Sequence, residues 1–474
     1  MVIQGRTIVV DIGKTNAKVS LWNADAEMLE RRVRSNEPQQ SPSGYRSLDL
    51  AGINAWLVES IRAFASLGPV ARIVPVGHGA AAVLVRNGQL FLDPMDYEDE
   101  IPDADRAEYD AQRDAFSETG SPALPLGLNL GAQLHRLEAL TGEIPGDVQI
   151  LPWPQYWAWR FCGVASSEVS SLGCHTDLWN PTQQSWSKLA ARRGWAERLA
   201  TVRQAGDVLG PITTGFSGET GLNSDCEVLC GLHDSNAALL AARGHPEIAD
   251  GDATVLSTGT WFIAMRSLTP GTDVDVAQLE EARDCLVNVD VHGRPTPSAR
   301  LMGGREAELI AGINSFALTD GIKPEEFLQR LPGLVAECRP ASPSFVHGVG
   351  PFPDRKGAWP ERPQDPVDQR VLTHVYLALM TDASLDLIGS AERLLIEGRF
   401  AEDVVFVRTL ASLRPEQRIY TSNAEHDVAF GALRLVDPEL CLSTALTPVV
   451  PLDIDIEVCA ARWHEHAEMD RGAA

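Results

Sequence analysis

Two stretches of this chain share one pattern, and that pattern limits the fold more than any other feature. Residues 7–22 read TIVVDIGKTNAKVSLW: an apolar strand, a turn through Asp11, Gly13, Lys14 and Thr15, and a second strand. Residues 252–267 read DATVLSTGTWFIAMRS, again an apolar strand, a small turn through Ser257, Thr258, Gly259 and Thr260, and a returning strand. In the first stretch Ala17, Val19 and Leu21 alternate with Lys18 and Ser20, the period-two signature of a strand. The letters GKT therefore do not mark a phosphate loop that opens a helix, and Ile8 stands where such a loop needs its first glycine. Two glycine-bearing β-hairpins, one in each half, predict an internal duplication.

A chain of 474 residues exceeds one ordinary core. Strands and helices mix in both halves, which predicts an α/β protein of two related lobes with a cleft between them, divided as residues 1–240 and 241–474. After the first hairpin come a third strand (EMLERRV) and a helix that Asn54 can cap and Gly68 can stop. A strand (RIVPVG) and a hairpin turning at Asn87-Gly88 follow. Residues from about 100 to 200, rich in Trp and Pro, read as insertions on the first core, with Trp153, Trp157 and Trp159 expected to pack inside it. The second half adds a long helix within 370–394, a strand LLIEGRF and a helix from Val404. Between the halves, GLHDSNAAL sets Asp234-Ser235 at the start of a helix that Gly244 can end, a pair that taken alone reads first as an ordinary cap.

A net charge of −25 argues against nucleic acid and against an anionic membrane surface. The chain shows no apolar run of spanning length and no secretory leader, so the cytoplasm is the expected location. Eight cysteines lie scattered without a CxxC pair, and are expected to be reduced and buried. Cys174-His175 lacks a second ligand cluster, and His135, His292, His347 and His426 show no metal-ligand spacing, which assigns them to surface or loops.

Three elements carry the candidate chemistry. Backbone N–H groups and hydroxyls at two glycine-bearing turns suit a polyphosphate. Asp11 can hold magnesium directly or through water, and Asp234 can accept a proton from a substrate hydroxyl. With these residues in place the chain resembles the FGGY carbohydrate kinases of the actin-like (ribonuclease H-like) ATPase superfamily, from about Thr7 to Arg434. The resemblance implies a phosphate hairpin at Asp11, Gly13, Thr15 and Lys18 and a second at Gly259 and Thr260. It implies a sugar site at His78, Tyr97, Asp99 and His233, with LPLGLNLGAQL (124–134) beside it. It also implies a catalytic Asp234 that shares magnesium with Asp11, and adenosine segments MGGREAEL and IEGRFAED with Gly304, Gly398, Arg399 and Asp403. ATP and Mg2+ are the implied cofactors, a small sugar is the implied partner, and a homodimer is an option. The HD and PxxYxD forms look closer to rhamnulose and fuculose kinases than to glycerol kinases.

The sequence departs from the family pattern at three places. Lys14 stands where a small or hydroxyl residue is usual, Ile101 where an Arg often follows the sugar segment, and Arg399 and Asp403 where the adenosine segment usually has Gly and Asn. The expected activity is phosphorylation of a hydroxyl on a ketose or deoxyketose such as L-rhamnulose, L-fuculose or a pentulose. Two rivals share the hairpins: an actin-like ATPase serving as a chaperone or assembly module, and a kinase-derived sugar-binding or regulatory protein.

Overall fold

The computed structural model describes residues 5–314, 321–337, 339–422, 428–442 and 444–468. They divide into two compact units. One comprises Met1–Gly244, Val287–Pro295 and Asp427–Leu442; the other comprises His245–Leu286, Thr296–His426 and Ser443–Ala474. Cys338 and His426 lie outside the described residues.

The first unit is built on a mixed sheet of β1 (Arg6–Ile12), β2 (Asn16–Trp22), β3 (Met28–Ser35), β4 (Val70–Gly77), β5 (Val208–Pro211), β6 (Glu227–Leu229) and β7 (Leu232–His233). The spatial order is β5-β6-β4-β1-β2-β3, with β7 also on β4. From Thr7 onward β1 is buried along its length, because it is a central strand covered on both faces, and its unbroken apolar run reflects that. Helix α1 (Leu50–Ala65) presents Ile53, Leu57, Ile61 and Phe64 to the core that β1 and β2 share. It starts earlier than Asn54: the Asp49 side chain accepts from Gly52 N–H, a cap worth about 1 kcal/mol. Asn54 instead accepts from Arg160 Nε. The Asn87-Gly88 turn has positive φ at both residues, as a tight hairpin requires.

The inserted region between β4 and β5 has its own core and a small three-stranded sheet. Helix α2 (Trp153–Cys162) buries Trp153 and Trp157 in the main core, while Trp159 is half-buried. Contrary to the expectation for a surface residue, His135 is buried in the helix Leu130–Thr141, against Arg193. The chain then enters α3 (Asp234–Ala242), which packs on the helix Val428–Val436.

The second unit repeats the plan. Strands β8 (Ala253–Thr258) and β9 (Phe262–Ser267) form an antiparallel hairpin. To them are added β10 (Cys285–Val289, of which Cys285 and Leu286 lie in this unit), β11 (Pro295–Leu301, in this unit from Thr296), β12 (Arg393–Gly398), β13 (Arg418–Thr421) and β14 (Thr447–Pro448), in the order β10-β11-β9-β8-β12-β13-β14. β8 pairs parallel with β12, and β12 parallel with β13, as β1 does with β4 and β4 with β6. Each unit thus has a hairpin whose first strand begins a parallel run, and the expected duplication is present in the topology. Helices α4 (Gly303–Ala311), α5 (Pro366–Leu387) and α6 (Val404–Leu413) pack against this sheet in one continuous core. Among the described cysteines none is disulfide-bonded and all but the exposed Cys441 are buried.

Candidate functional site

Three neighbouring parallel strands of the first unit end at one level. Ile12 of β1 stands opposite Gly77 of β4, and Gly77 stands opposite His233 of β7. Asp11 lies one residue before that line, His78 and Asp234 one residue after it. The carboxyl ends of parallel strands are where open α/β sheets hold ligands. Distant parts of the sequence meet there because β4 separates β1 from β7.

Asp11 and Asp234 open on a cavity of about 340 Å³ that Gly13, Thr15, Lys18 and Ser235 also line. Asp11 faces Lys18 across the hairpin, with Lys18 Nζ 3.8 Å from its Oδ2. Burial, and then the charge of Asp234, push the Asp11 carboxyl up to about 7, against the opposing pull of Lys18 and Arg31. Two carboxylates sharing a recess, one of them this reluctant to ionise, make a place where a hard cation fits. Among the described residues no cluster of three or more His, Cys, Asp or Glu forms a closed metal cage. Magnesium, which keeps several of its waters, does not require one.

Asp234 is not an ordinary helix cap. The cap position of α3 is His233, whose side chain makes no capping bond. The Asp234 Oδ1 accepts from Ser235 N–H at 2.6 Å and from the Ser235 hydroxyl at 3.3 Å. His233 Nε2 lies 3.2 Å from the same oxygen, and burial lowers the His233 pKa, so it sits there as a neutral imidazole.

His78 is buried, and neither ring nitrogen has a protein partner. Burial holds its pKa down to about 4. Its ring packs edge-on to Tyr97 at 5.5 Å and lies 5.7 Å from Trp153. Two unmatched nitrogens on a neutral imidazole suit a ligand with hydroxyl groups, since each buried polar atom needs a partner. Asp99 is half-buried and accepts Arg46 N–H at 3.0 Å. The nearby Asp96 is fully buried, between Lys14 Nζ at 2.5 Å and Arg46 Nε at 2.8 Å. Asp96 was legible only as one more acid in DPMDYED. Lys14, at the hairpin tip, turns toward this acidic segment.

Other supports of the first hairpin were also missed. Asn36 donates to Gly13 C=O at 2.9 Å, and the Trp153 indole donates to Ile12 C=O at 3.0 Å. Gln133, within the expected sugar-side segment, donates to the carbonyls of Ala80 and Gly127, a packing role.

In the second unit the predicted residues also converge. Thr258 at the end of β8 stands opposite Gly398 at the end of β12. A Cβ on Gly398, whose φ is +81°, would lie 2.1 Å from Thr258 C=O, and one on Gly304 would lie 2.3 Å from Gly259 C=O. Both glycines are therefore required where backbone meets the Gly259-Thr260 turn. The Thr258 hydroxyl, not singled out by the sequence, donates to Glu397 C=O and accepts Phe400 N–H, fastening the two strand ends. Arg399 follows in a half-buried 3₁₀ turn. Asp403 caps α6, accepting from Val405 and Phe406 N–H, and its other oxygen lies 2.7 Å from His374 Nδ1; both side chains are buried.

With this geometry in view, the comparisons with known proteins are specific. Residues 250–444 match the family model for the carbohydrate kinase FGGY C-terminal domain. A carbohydrate kinase from Novosphingobium aromaticivorans shares 50% identity over 98% of this chain and 99% of its own, with a TM-score of 0.94. The xylulose kinase of Rhodospirillum rubrum (17% identity, 98% of each chain, TM-score 0.76) has the same fold. So has the glycerol kinase of Plasmodium falciparum solved with ADP (12% identity, 98% of each chain, TM-score 0.76). Fold and sequence together define a carbohydrate kinase of the two-lobed, actin-like ATPase class. The chain belongs to the FGGY carbohydrate kinase family. No helix among the described residues is long and apolar enough to cross a membrane.

Proposed function

We propose that this kinase transfers the γ-phosphoryl group of ATP to a hydroxyl of a small uncharged ketose or deoxyketose, such as L-rhamnulose, L-fuculose or a pentulose. The observation that carries the reading is the meeting of Asp11 and Asp234 on one cavity at the ends of adjacent strands. Asp234 orients the acceptor hydroxyl and takes its proton. Phosphoryl transfer is loose, so alignment by this carboxylate counts for more than its basicity. His233 and Ser235 fix the carboxylate from one side.

Magnesium, held by Asp11 with Asp234 nearby, would neutralise charge on the phosphates. Gly13, Thr15 and Lys18 are the phosphate-binding residues of the first unit, and Gly259 and Thr260 are those of the second. Gly304, Gly398 and Arg399 form the adenosine end, and Asp403 acts there by fixing the start of α6. His78, Tyr97, Asp99 and His233 face the sugar. The preference for an uncharged acceptor has its own support: Asp96 and Glu98 already match Lys14 and Arg46 charge for charge. A sugar acid would find no uncompensated cation among these groups.

The test is ATP consumption with magnesium across ketoses, deoxyketoses, polyols and aldonates. At least one neutral sugar should accelerate turnover far above the sugar-free rate. An aldonate as best acceptor would overturn the substrate class, and turnover that no sugar stimulates would favour the ATPase reading.

A further inference from the structure

Lys14 departs from the family pattern at the tip of the phosphate hairpin, and its side chain does not extend into solvent. It is mostly buried, with Nζ 2.5 Å from Asp96 Oδ2, 3.4 Å from Glu98 and 5.4 Å above the Tyr97 ring. Asp96 is saturated. Its Oδ1 accepts Glu98 N–H at 2.9 Å, and its Oδ2 lies between Lys14 and Arg46. On the far side the 94–99 segment is pinned to residues 46–48: Asp96 N–H donates to Arg46 C=O, Arg46 N–H to the Asp99 side chain at Oδ1, and Leu48 N–H to Pro94 C=O. Lys14 supplies the tie on the hairpin side.

We propose that Lys14 is a positioning residue that couples the phosphate hairpin to the sugar segment, so that the tip at residues 13–16 and the 94–99 segment keep one spacing. The inference rests on the reading that these two segments hold phosphate and sugar. A charge neutralised by a buried carboxylate has no need to touch phosphate; Lys14 acts through Asp96 and Tyr97. An ion pair between a nearly buried ammonium and a buried carboxylate tolerates little displacement, because separating the partners leaves a charge without water. Transfer depends steeply on the distance between hydroxyl and phosphorus, so loosening this tie should reduce sugar use while ATP binding persists. The same loosening should let water compete as acceptor.

Three variants test this: Lys14→Met, Lys14→Arg, and the double variant Lys14→Met/Asp96→Asn, which also removes the carboxylate that Lys14→Met leaves to Arg46 alone. Lys14→Met should lower kcat/KM for the best sugar by about tenfold or more, keep KM for ATP within about twofold, and raise the share of ATP hydrolysed without sugar phosphorylation. Lys14→Arg should recover most of the loss. The double variant should regain melting temperature but not kcat/KM. Lys14→Met within about twofold of wild type would overturn the proposal. So would full recovery in the double variant, which would reduce the lysine to a neutraliser of Asp96. A wild-type protein that phosphorylates no sugar would fail the kinase reading instead. Amide hydrogen exchange tests the tie without activity: faster exchange at 94–99 in Lys14→Met supports it, and unchanged exchange overturns it.

Discussion

The two hairpins begin equivalent parallel runs in the two sheets, yet they are built from opposite materials. The β1–β2 turn is charged: Asp11 faces Lys18, Lys14 reaches Asp96, and side chains of Asn36 and Trp153 brace its carbonyls. The β8–β9 turn carries Thr258, Gly259 and Thr260, and its neighbours approach as bare backbone at Gly304 and Gly398. A duplicated frame has thus been fitted for two tasks. One turn manages charge through side chains, and the other is approached closely because the neighbours Gly304 and Gly398 have none.

The largest effect expected from breaking this contrast is on turnover. Asp11→Ala should lower kcat by roughly 10²-fold or more, the scale for removing a preorganised charge, without unfolding the chain. Thr260→Ala, on the exposed second turn, should cost about tenfold. Steady-state kinetics with magnesium varied would check both, and equal losses would erase the contrast.

Stability should show the reverse. Gly398→Ala combines a left-handed φ with a contact no Cβ makes, and should cost about 2–4 kcal/mol; Gly304→Ala should cost about 1–3. Gly13→Ala, whose Cβ would meet only Asn16 C=O at 3.1 Å, should cost less than about 1 kcal/mol. Urea unfolding of the three variants orders them directly.

A smaller effect lies in pH. The folded Asp11 carboxyl titrates near 7 against 3.8 for the free group, so the folded chain holds this proton where the unfolded chain has released it. Its contribution is full below about pH 4 and is lost as pH rises toward 7. His78 runs the other way: its pKa falls from 6.5 to about 4, so its contribution is full above pH 6.5 and is lost as pH falls toward 4. Asp11→Asn should therefore improve stability at pH 7.5 relative to wild type more than at pH 4.5. A constant difference in melting temperature across that range would contradict the assignment. Magnesium affinity should weaken as pH drops below 7, because the cation binds the carboxylate.

Strand periodicity made both hairpins legible, since Ala17, Val19 and Leu21 must share a face whatever surrounds them. The start of α3 at Asp234 was legible from local chemistry, while the cap of α1 was misplaced because Asp49 and Asn54 are equally good caps in isolation and packing chooses between them. His135 was misread for a related reason: its burial depends on Arg193, far along the chain. Asp96, Asn36 and Thr258 were not legible as supports, because each acts through a partner that only the folded topology brings near. Lys14 was visible as a departure, but its destination was not.

Asp234 is the group proposed to align and deprotonate the acceptor, and one substitution isolates it. Asp234→Asn preserves size and the contact with Ser235 N–H but removes charge and proton acceptance. With a sugar accepted by wild type, kcat should fall by roughly 10²-fold or more while melting temperature and the binding of ATP and sugar barely change. Near-normal kcat with a lowered melting temperature would mean that Asp234 only starts a helix and is not the base.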